Sequence, residues 1–336
     1  MRKIIYPEPL QQGDTIAITA PSSGLESDLH HLLTRSKANL EKLGFTIVEG
    51  ETIWTNDKCV STSKEARVRE LESYLLDDRV KAIIPPWGGE FLMELLPLIN
   101  WEGLKNQQPN WIVGYSDIST LLFAYTLLTG YATAHGPGYV DIGPDKVDDT
   151  TVKWLEVLRT QQGQRVTQTS SSQYRSSWGN GQDTPTRWEI LGDRISEQFS
   201  GRLIGGCMDT ISILIGTEFA PVEQFSEDYC QDSGMIWYLE SCEMNAADIY
   251  RHLWQMRQCG WFNNTNGVLI GRAAGYSPCK NFELTDALQK IFVPLNIPVL
   301  YNVDIGHVPP QMTLINGAFA EVVCSDGKGE ITMTFS

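Results

Sequence analysis

Trp111-Ile112-Val113-Gly114-Tyr115-Ser116-Asp117-Ile118 begins as an apolar strand, turns at Gly114 and runs through Ser116 into the apolar helix Asp117–Leu128. Strand, tight turn and a helix starting at or just after Ser116 make one β-α unit. In a parallel sheet that turn lies at the carboxyl edge, where open α/β folds bind ligands. The same alternation extends on both sides. Asp14–Ala20 is a β-rich run ending in the turn Pro21-Ser22-Ser23-Gly24, and Leu29, Leu32, Leu33, Leu40 and Leu43 share a helical face that Gly44 stops. Phe45–Glu49 reads as a strand, and Thr62-Ser63-Lys64-Glu65 as a capping box with Thr62 at the N-cap, opening a helix to about Leu76. Val80–Ile84 is a strand leading into Pro85-Pro86-Trp87-Gly88-Gly89, followed by a short helix Phe91–Ile99 and, beyond the opening stretch, a strand Tyr131–Ala134. Strands and helices at this spacing predict a parallel sheet covered on both faces.

The chain has 336 residues, 42% hydrophobic and 10% aromatic, a globular composition. Single cores stop growing near ~250–300 residues, so two domains are expected. Gln161–Asp183, rich in Gln, Ser, Gly and Thr, reads as an interdomain connection and exposed loop. Beyond it, strands near Trp188–Leu191, Arg202–Ile204, Met235–Leu239, Val268–Ile270 and from Pro298 mix with helices near Ala246–Gly260 and Leu284–Val293. That pattern predicts an α+β second domain on a mixed sheet, with the division at 1–165 and 166–336.

Charge narrows the function. Lys and Arg number 26 against 41 Asp and Glu, a net −15. Such a surface repels phosphate backbones and anionic lipid, which argues against a nucleic-acid polymer or a membrane as partner. Seven scattered cysteines without a C-x-x-C pair suggest neither a disulfide framework nor a zinc site, and fit a reducing compartment. The first residues break into prolines before any apolar run of signal length, and no stretch of ~18 uncharged apolar residues follows. A soluble, cytoplasmic protein is expected.

Ser116 admits two readings: the N-cap of the helix that follows, or a nucleophile beside that helix's free N–H groups. G-x-S-x-G is matched only in part, because position 118 holds Ile. A serine nucleophile needs a base, and five histidines are available. His30 and His31 lie in an amphipathic helix and His252 in mid-helix. His135, after a strand, and His307, in Asp304-Ile305-Gly306-His307-Val308-Pro309-Pro310, are the two placed at sheet edges. Glu240 closes the apolar strand Met235–Leu239, either solvated there or held to orient a base. Ser116, Glu240 and His307 give the order Ser…acid…His, although triads are defined by geometry and not by order. Cys207 reads as a small buried residue.

Gly114-Tyr115-Ser116-Asp117, Leu203-Ile204-Gly205-Gly206, Tyr238-Leu239-Glu240 and Gly306-His307 with its prolines, joined by Gly13–Ser22 and Trp87-Gly88-Gly89, together resemble the LD-carboxypeptidase family of serine peptidases. That family includes murein tetrapeptide carboxypeptidases and microcin C immunity proteins. The resemblance, over about residues 13 to 320, implies Ser116 as nucleophile, His307 as base and Glu240 as its orienting acid. It implies an oxyanion hole from the backbone N–H groups of Asp117 and Gly89, with Gly88 also against substrate. The implied fold is a flavodoxin-like parallel-sheet N-terminal domain plus a smaller β-rich α/β C-terminal domain, with the site between them. A homodimer with no metal or other cofactor is implied as well. Cys207-Met208-Asp209 follows Gly205-Gly206 where many relatives have Asn-Leu. Trp178 and Trp188 are similar to tryptophans with which the immunity branch stacks a nucleobase; the other reading makes Trp188 a strand anchor and Trp178 the cover of a domain seam. The expected function is hydrolysis of an amide bond in a small peptide-like substrate, by preference a peptidyl- or aminoacyl-nucleotide of the microcin C type. A murein tetrapeptide is the alternative, and a non-catalytic small-molecule binding protein the rival of another class.

Overall fold

The computed structural model describes residues 2–144, 147–175 and 183–336. Strands β1 (Thr15–Ile18), β2 (Thr46–Glu49), β3 (Val80–Ile83), β4 (Trp111–Gly114) and β5 (Thr133–His135) lie parallel in the order β2-β1-β3-β4-β5. This is the flavodoxin-like order, with α1 (His30–Lys42), α2 (Lys64–Leu75), α3 (Trp101–Leu104) and α4 (Ile118–Thr129) on the crossovers. Ile16–Ile18, Ala82–Ile83 and Trp111–Val113 are all fully buried, the continuous apolar run that a sheet covered on both faces requires. Helix α4 is buried from Ile118 to Leu127, on every side and not along one stripe, because it forms a wall common to both halves of the molecule.

The rest of the chain adds β6 (Arg165–Thr169), the short pair β7 (Gln173–Tyr174) and β8 (Thr184–Pro185), then β9 (Glu189–Ile190) and β10 (Ser196–Cys207). It continues through β11 (Met235–Glu240), β12 (Thr265–Gly271), β13 (Val299–Val303), β14 (Leu314–Asn316), β15 (Phe319–Ser325) and β16 (Lys328–Thr334). The second sheet runs β6-β16-β15-β10-β11-β12-β13-β9, its four strands β10 to β13 parallel and its flanks antiparallel. Strand β14 crosses back and pairs antiparallel with β5, so the first sheet is completed from the far end of the chain.

Three local expectations are corrected. The cap of α2 is Ser63, whose side chain accepts from Ala66 N at 3.3 Å, whereas the Thr62 carbonyl is taken by Nε of the buried Arg67. The expected helix Phe91–Ile99 is one short 3-10 turn, Leu92–Leu95. The polar segment from Gln161 is not all exposed connection: its Arg165–Thr169 part is an edge strand on β16 with Val166 and Gln168 buried. Gln168 is held by donating to Thr313 O at 2.7 Å and accepting from Thr313 N at 3.1 Å, which satisfies its amide inside the core. Among the described residues no helix is long and apolar enough to cross a membrane.

Candidate active site

The turn after β4 bears on the cap reading of Ser116. Helix α4 begins at Ile118 with Asp117 at its N-cap position, so Ser116 is not the cap. Ser116 instead has φ 60°, a left-handed conformation that costs a non-glycine residue on the order of 1–2 kcal/mol. A sharp, strained strand-to-helix turn is what lifts a serine hydroxyl out of a sheet edge. Surrounding loops hold the strain. The buried Asp117 carboxylate accepts from Ser22 Oγ at 2.6 Å, Leu92 N at 2.9 Å and Thr120 Oγ1 at 3.3 Å. Burial pulls its pKa upward against those donors. Ser22 follows β1 and Leu92 follows β3, so three carboxyl-edge loops converge here. Gly88 lies so close that a Cβ on it would stand 2.7 Å from Ser116 Oγ and 3.0 Å from Asp117 N.

The residues expected as base and acid lie on the second sheet. After β13 the chain is anchored by buried Asp304, which accepts from Ser171 N and Oγ, Trp188 Nε1 at 2.9 Å and Arg272 Nη2 at 2.6 Å. Gly306 then turns with φ +86°; a Cβ there would stand 2.3 Å from Glu240 Oε2, so only glycine lets the chain close over the end of β11. His307 Nδ1–H donates to Glu240 Oε2 at 2.7 Å. Burial opposes both charges, yet each group holds the other ionised: His307 lowers the Glu240 pKa well below the carboxylate range, and Glu240 raises His307 well above the usual imidazole value. The Tyr115 ring meets His307 edge-on with centroids 4.9 Å apart, which brings the turn carrying the serine against the imidazole.

Tyr115, Asp141, Arg175, Gly306 and His307 line a cavity of about 540 Å³. Burial lifts Asp141 to about 6, against hydrogen bonds from Gly138 N–H and the Tyr115 hydroxyl. Arg175 lines the same cavity as three aspartates, Asp141, Asp148 and Asp149. Tyr115, Asp141 and Arg175 were not singled out from the sequence. A usable signal exists for Asp141 alone, as the carboxylate that caps the glycine turn begun at Gly138.

The other expected residues fall differently. Gly89, with φ +145°, packs against the hydroxyls of Ser22 and Ser23 beside Gly88. Of the two readings of Trp188, the ligand-facing one is corrected and the strand anchor holds: it is 1% exposed and spends its N–H on Asp304, beneath the histidine turn. Trp178 lies outside the described residues. His135 is fully buried, with Nε2 3.8 Å from Glu240 Oε1. Cys207 is buried as expected, with its Sγ within 4.8 Å of side-chain atoms of Glu240 and His307.

One carboxyl edge thus carries the strained Ser116 turn and the other the Glu240–His307 pair. The chain belongs to the LD-carboxypeptidase family, matching its N-terminal domain over residues 16–136 and its C-terminal domain over residues 200–322. A Vibrio cholerae relative, itself named only as a candidate carboxypeptidase, is 28% identical over 92% of both chains. The microcin C7 self-immunity protein MccF of Escherichia coli is 24% identical, over 91% of this chain and 89% of that one. The murein tetrapeptide carboxypeptidase of Pseudomonas aeruginosa is 24% identical over 87% of each. Among solved structures, MccF in complex with aspartyl sulfamoyl adenosine superposes with a TM-score of 0.82 at 22% identity, covering 99% of this chain and 98% of that one. Fold and family are therefore those of a serine carboxypeptidase.

Proposed function

We propose that Ser116, His307 and Glu240 act as a triad that cleaves an amide bond in a small peptide-like substrate, by preference a peptidyl- or aminoacyl-nucleotide of the microcin C type, as a detoxifying step. The 2.7 Å Glu240–His307 bond, delivered beside the strained turn of Ser116, is the observation that carries this reading. His307 Nε2 takes the Ser116 proton as Oγ attacks the carbonyl carbon, while Glu240 holds Nδ1–H and stabilises the imidazolium. The first N–H groups of a helix have no intrahelical partner, so Asp117 N–H is free to bind the oxyanion, with Gly89 N–H opposite. Protonation by His307 expels the amine, and water then hydrolyses the acyl-enzyme through the same base.

Arg175, set among Asp141, Asp148 and Asp149 in the cavity, offers a contact for one acidic group of a substrate. Nucleotide preference is supported by the MccF relative and by the aminoacyl sulfamoyl adenosine found with its solved structure. The murein relative, equally distant in sequence, keeps a peptide with a free carboxylate as the second reading. The test is to incubate the protein with an aminoacyl sulfamoyl adenosine and with murein tetrapeptide, and to read the products by mass. Wild type labelled by a fluorophosphonate, with labelling lost in Ser116→Ala, is the expected result. No labelling and no turnover of either compound overturns the enzyme in favour of a binding protein.

A further inference from the structure

Glu240 presents its two oxygens unequally. Oε2 accepts from His307 Nδ1 at 2.7 Å, whereas Oε1 is buried with no hydrogen-bond partner. A buried carboxylate with one oxygen unfilled loses the stabilisation that ionisation needs in a low-dielectric site. His135 is fully buried, both of its ring nitrogens lack partners, and Nε2 points at Oε1 from 3.8 Å. Its backbone is fixed, because β5 is paired on one side with β4, Gly114 opposite His135, and on the other with β14, Leu314 opposite His135. The ring stands edge-on to Tyr238 at 5.3 Å and to Tyr115 at 6.4 Å.

We infer that His135 is a positioning residue for the acid: its Nε2–H donates to Glu240 Oε1, so that two histidines from two sheets grip one carboxylate. This rests on the triad reading above. A fully buried ring that does not line the cavity cannot serve as the base for a substrate there, so its role is exerted through Glu240. The titratable groups around Glu240 are Tyr115 after β4, His135 on β5, Cys207 at the end of β10, Tyr238 on β11, Cys242 just beyond it, and His307 after β13. Once His307 gives up its proton, the carboxylate carries an unbalanced charge, and a second donor stabilises that state. His135 thereby makes the Glu240–His307 pair release its proton more readily and keeps Oε2 aimed at Nδ1.

Three variants test this in the full-length protein. His135→Leu removes the donor, His135→Asn withdraws it from Oε1 while keeping an amide, and His135→Gln keeps an N–H donor at similar reach. Two readouts serve: the pH profile of fluorophosphonate labelling, and the downfield proton resonance of His307 Nδ1–H by NMR. In His135→Leu and His135→Asn the acid limb is expected to move up by about one pH unit, as loss of one charged hydrogen bond predicts. The resonance is expected to shift in both, and His135→Gln to return both readouts close to wild type. A limb and resonance unchanged in His135→Asn overturn the proposal, even if His135→Leu does not fold. Absent labelling in wild type instead refutes the triad, and the resonance alone then decides the role of His135.

Discussion

Alanine at position 88 tests whether the glycine loop and the serine turn form one machine. The new methyl carbon would stand 2.6 Å from Ser116 Cβ, 2.7 Å from its Oγ and 3.0 Å from Asp117 N. Carbon atoms pack at about 3.5–4.0 Å, so roughly 0.9 Å of overlap has to be relieved. Nothing it meets is the free end of a flexible chain: Ser116 sits in a strained turn, and Asp117 is held by three hydrogen bonds. Relief therefore displaces Ser116 Oγ or Asp117 N–H, the nucleophile and oxyanion donor of the proposed mechanism. A displacement of about 1 Å costs about 10²-fold in rate, and overpacking costs about 1–3 kcal/mol of stability. Gly88→Ala is expected to label with a fluorophosphonate about 100-fold more slowly than wild type, with a lower Tm. Gly13→Ala is the control: Gly13 has φ +94° but nothing within 4 Å of an added Cβ, so it costs about 1 kcal/mol of backbone strain and leaves labelling intact. Labelling of Gly88→Ala within threefold of wild type would refute the reasoning, as would an equal loss in Gly13→Ala.

Catalysis needs neutral His307, whose pKa is raised, so labelling should climb with pH and inflect above the ordinary imidazole value of about 6.5; an inflection at or below it contradicts the pairing with Glu240. The same pair sets a stability window. His307, raised on folding, stabilises fully below about 6.5 and loses this as pH rises through its folded pKa; Glu240, depressed on folding, stabilises above about 4.3 and loses this as pH falls. The Tm gap between wild type and Glu240→Gln should be widest between those limits, and a gap independent of pH would count against it. Trp188→Phe removes the donor to Asp304 and should lower stability by about 1–3 kcal/mol while labelling stays within a few-fold. Weaker binding of an aminoacyl sulfamoyl adenosine at unchanged Tm would instead return Trp188 to the ligand.

Much of the first half was legible because its strands are short, apolar and punctuated. Trp111–Gly114 and Val80–Ile83 lie within a residue of where their composition puts them. Less legible was whatever a distant partner decides. Arg165–Thr169 looks like connection because Gln168 is polar, and only Thr313, far along the chain, makes its burial tolerable. Ser116 offers the same letters to a cap and to a strained turn; the loops after β1 and β3 hold the next residue, Asp117, through bonds that the local sequence does not show. Glu240 was ambiguous for the same reason, since the histidine that gives it work arrives 67 positions later. Trp188 misled because an aromatic near a polar segment reads equally as clamp or anchor, and the acceptor that decides, Asp304, lies on another element.

Asn316 on β14 touches everything at once. It gives its amide hydrogen to Thr133 Oγ1 at 3.2 Å, and its oxygen accepts from Gly205 N at 3.1 Å and Tyr238 Oη at 2.7 Å. One fully buried residue thus stitches the first sheet to the parallel core of the second, within a strand that itself belongs to the opposite half. The halves are consequently not interchangeable parts. A fragment ending before residue 314 leaves β5 with a raw edge, ready to pair with another chain, and leaves Tyr238 searching for an acceptor.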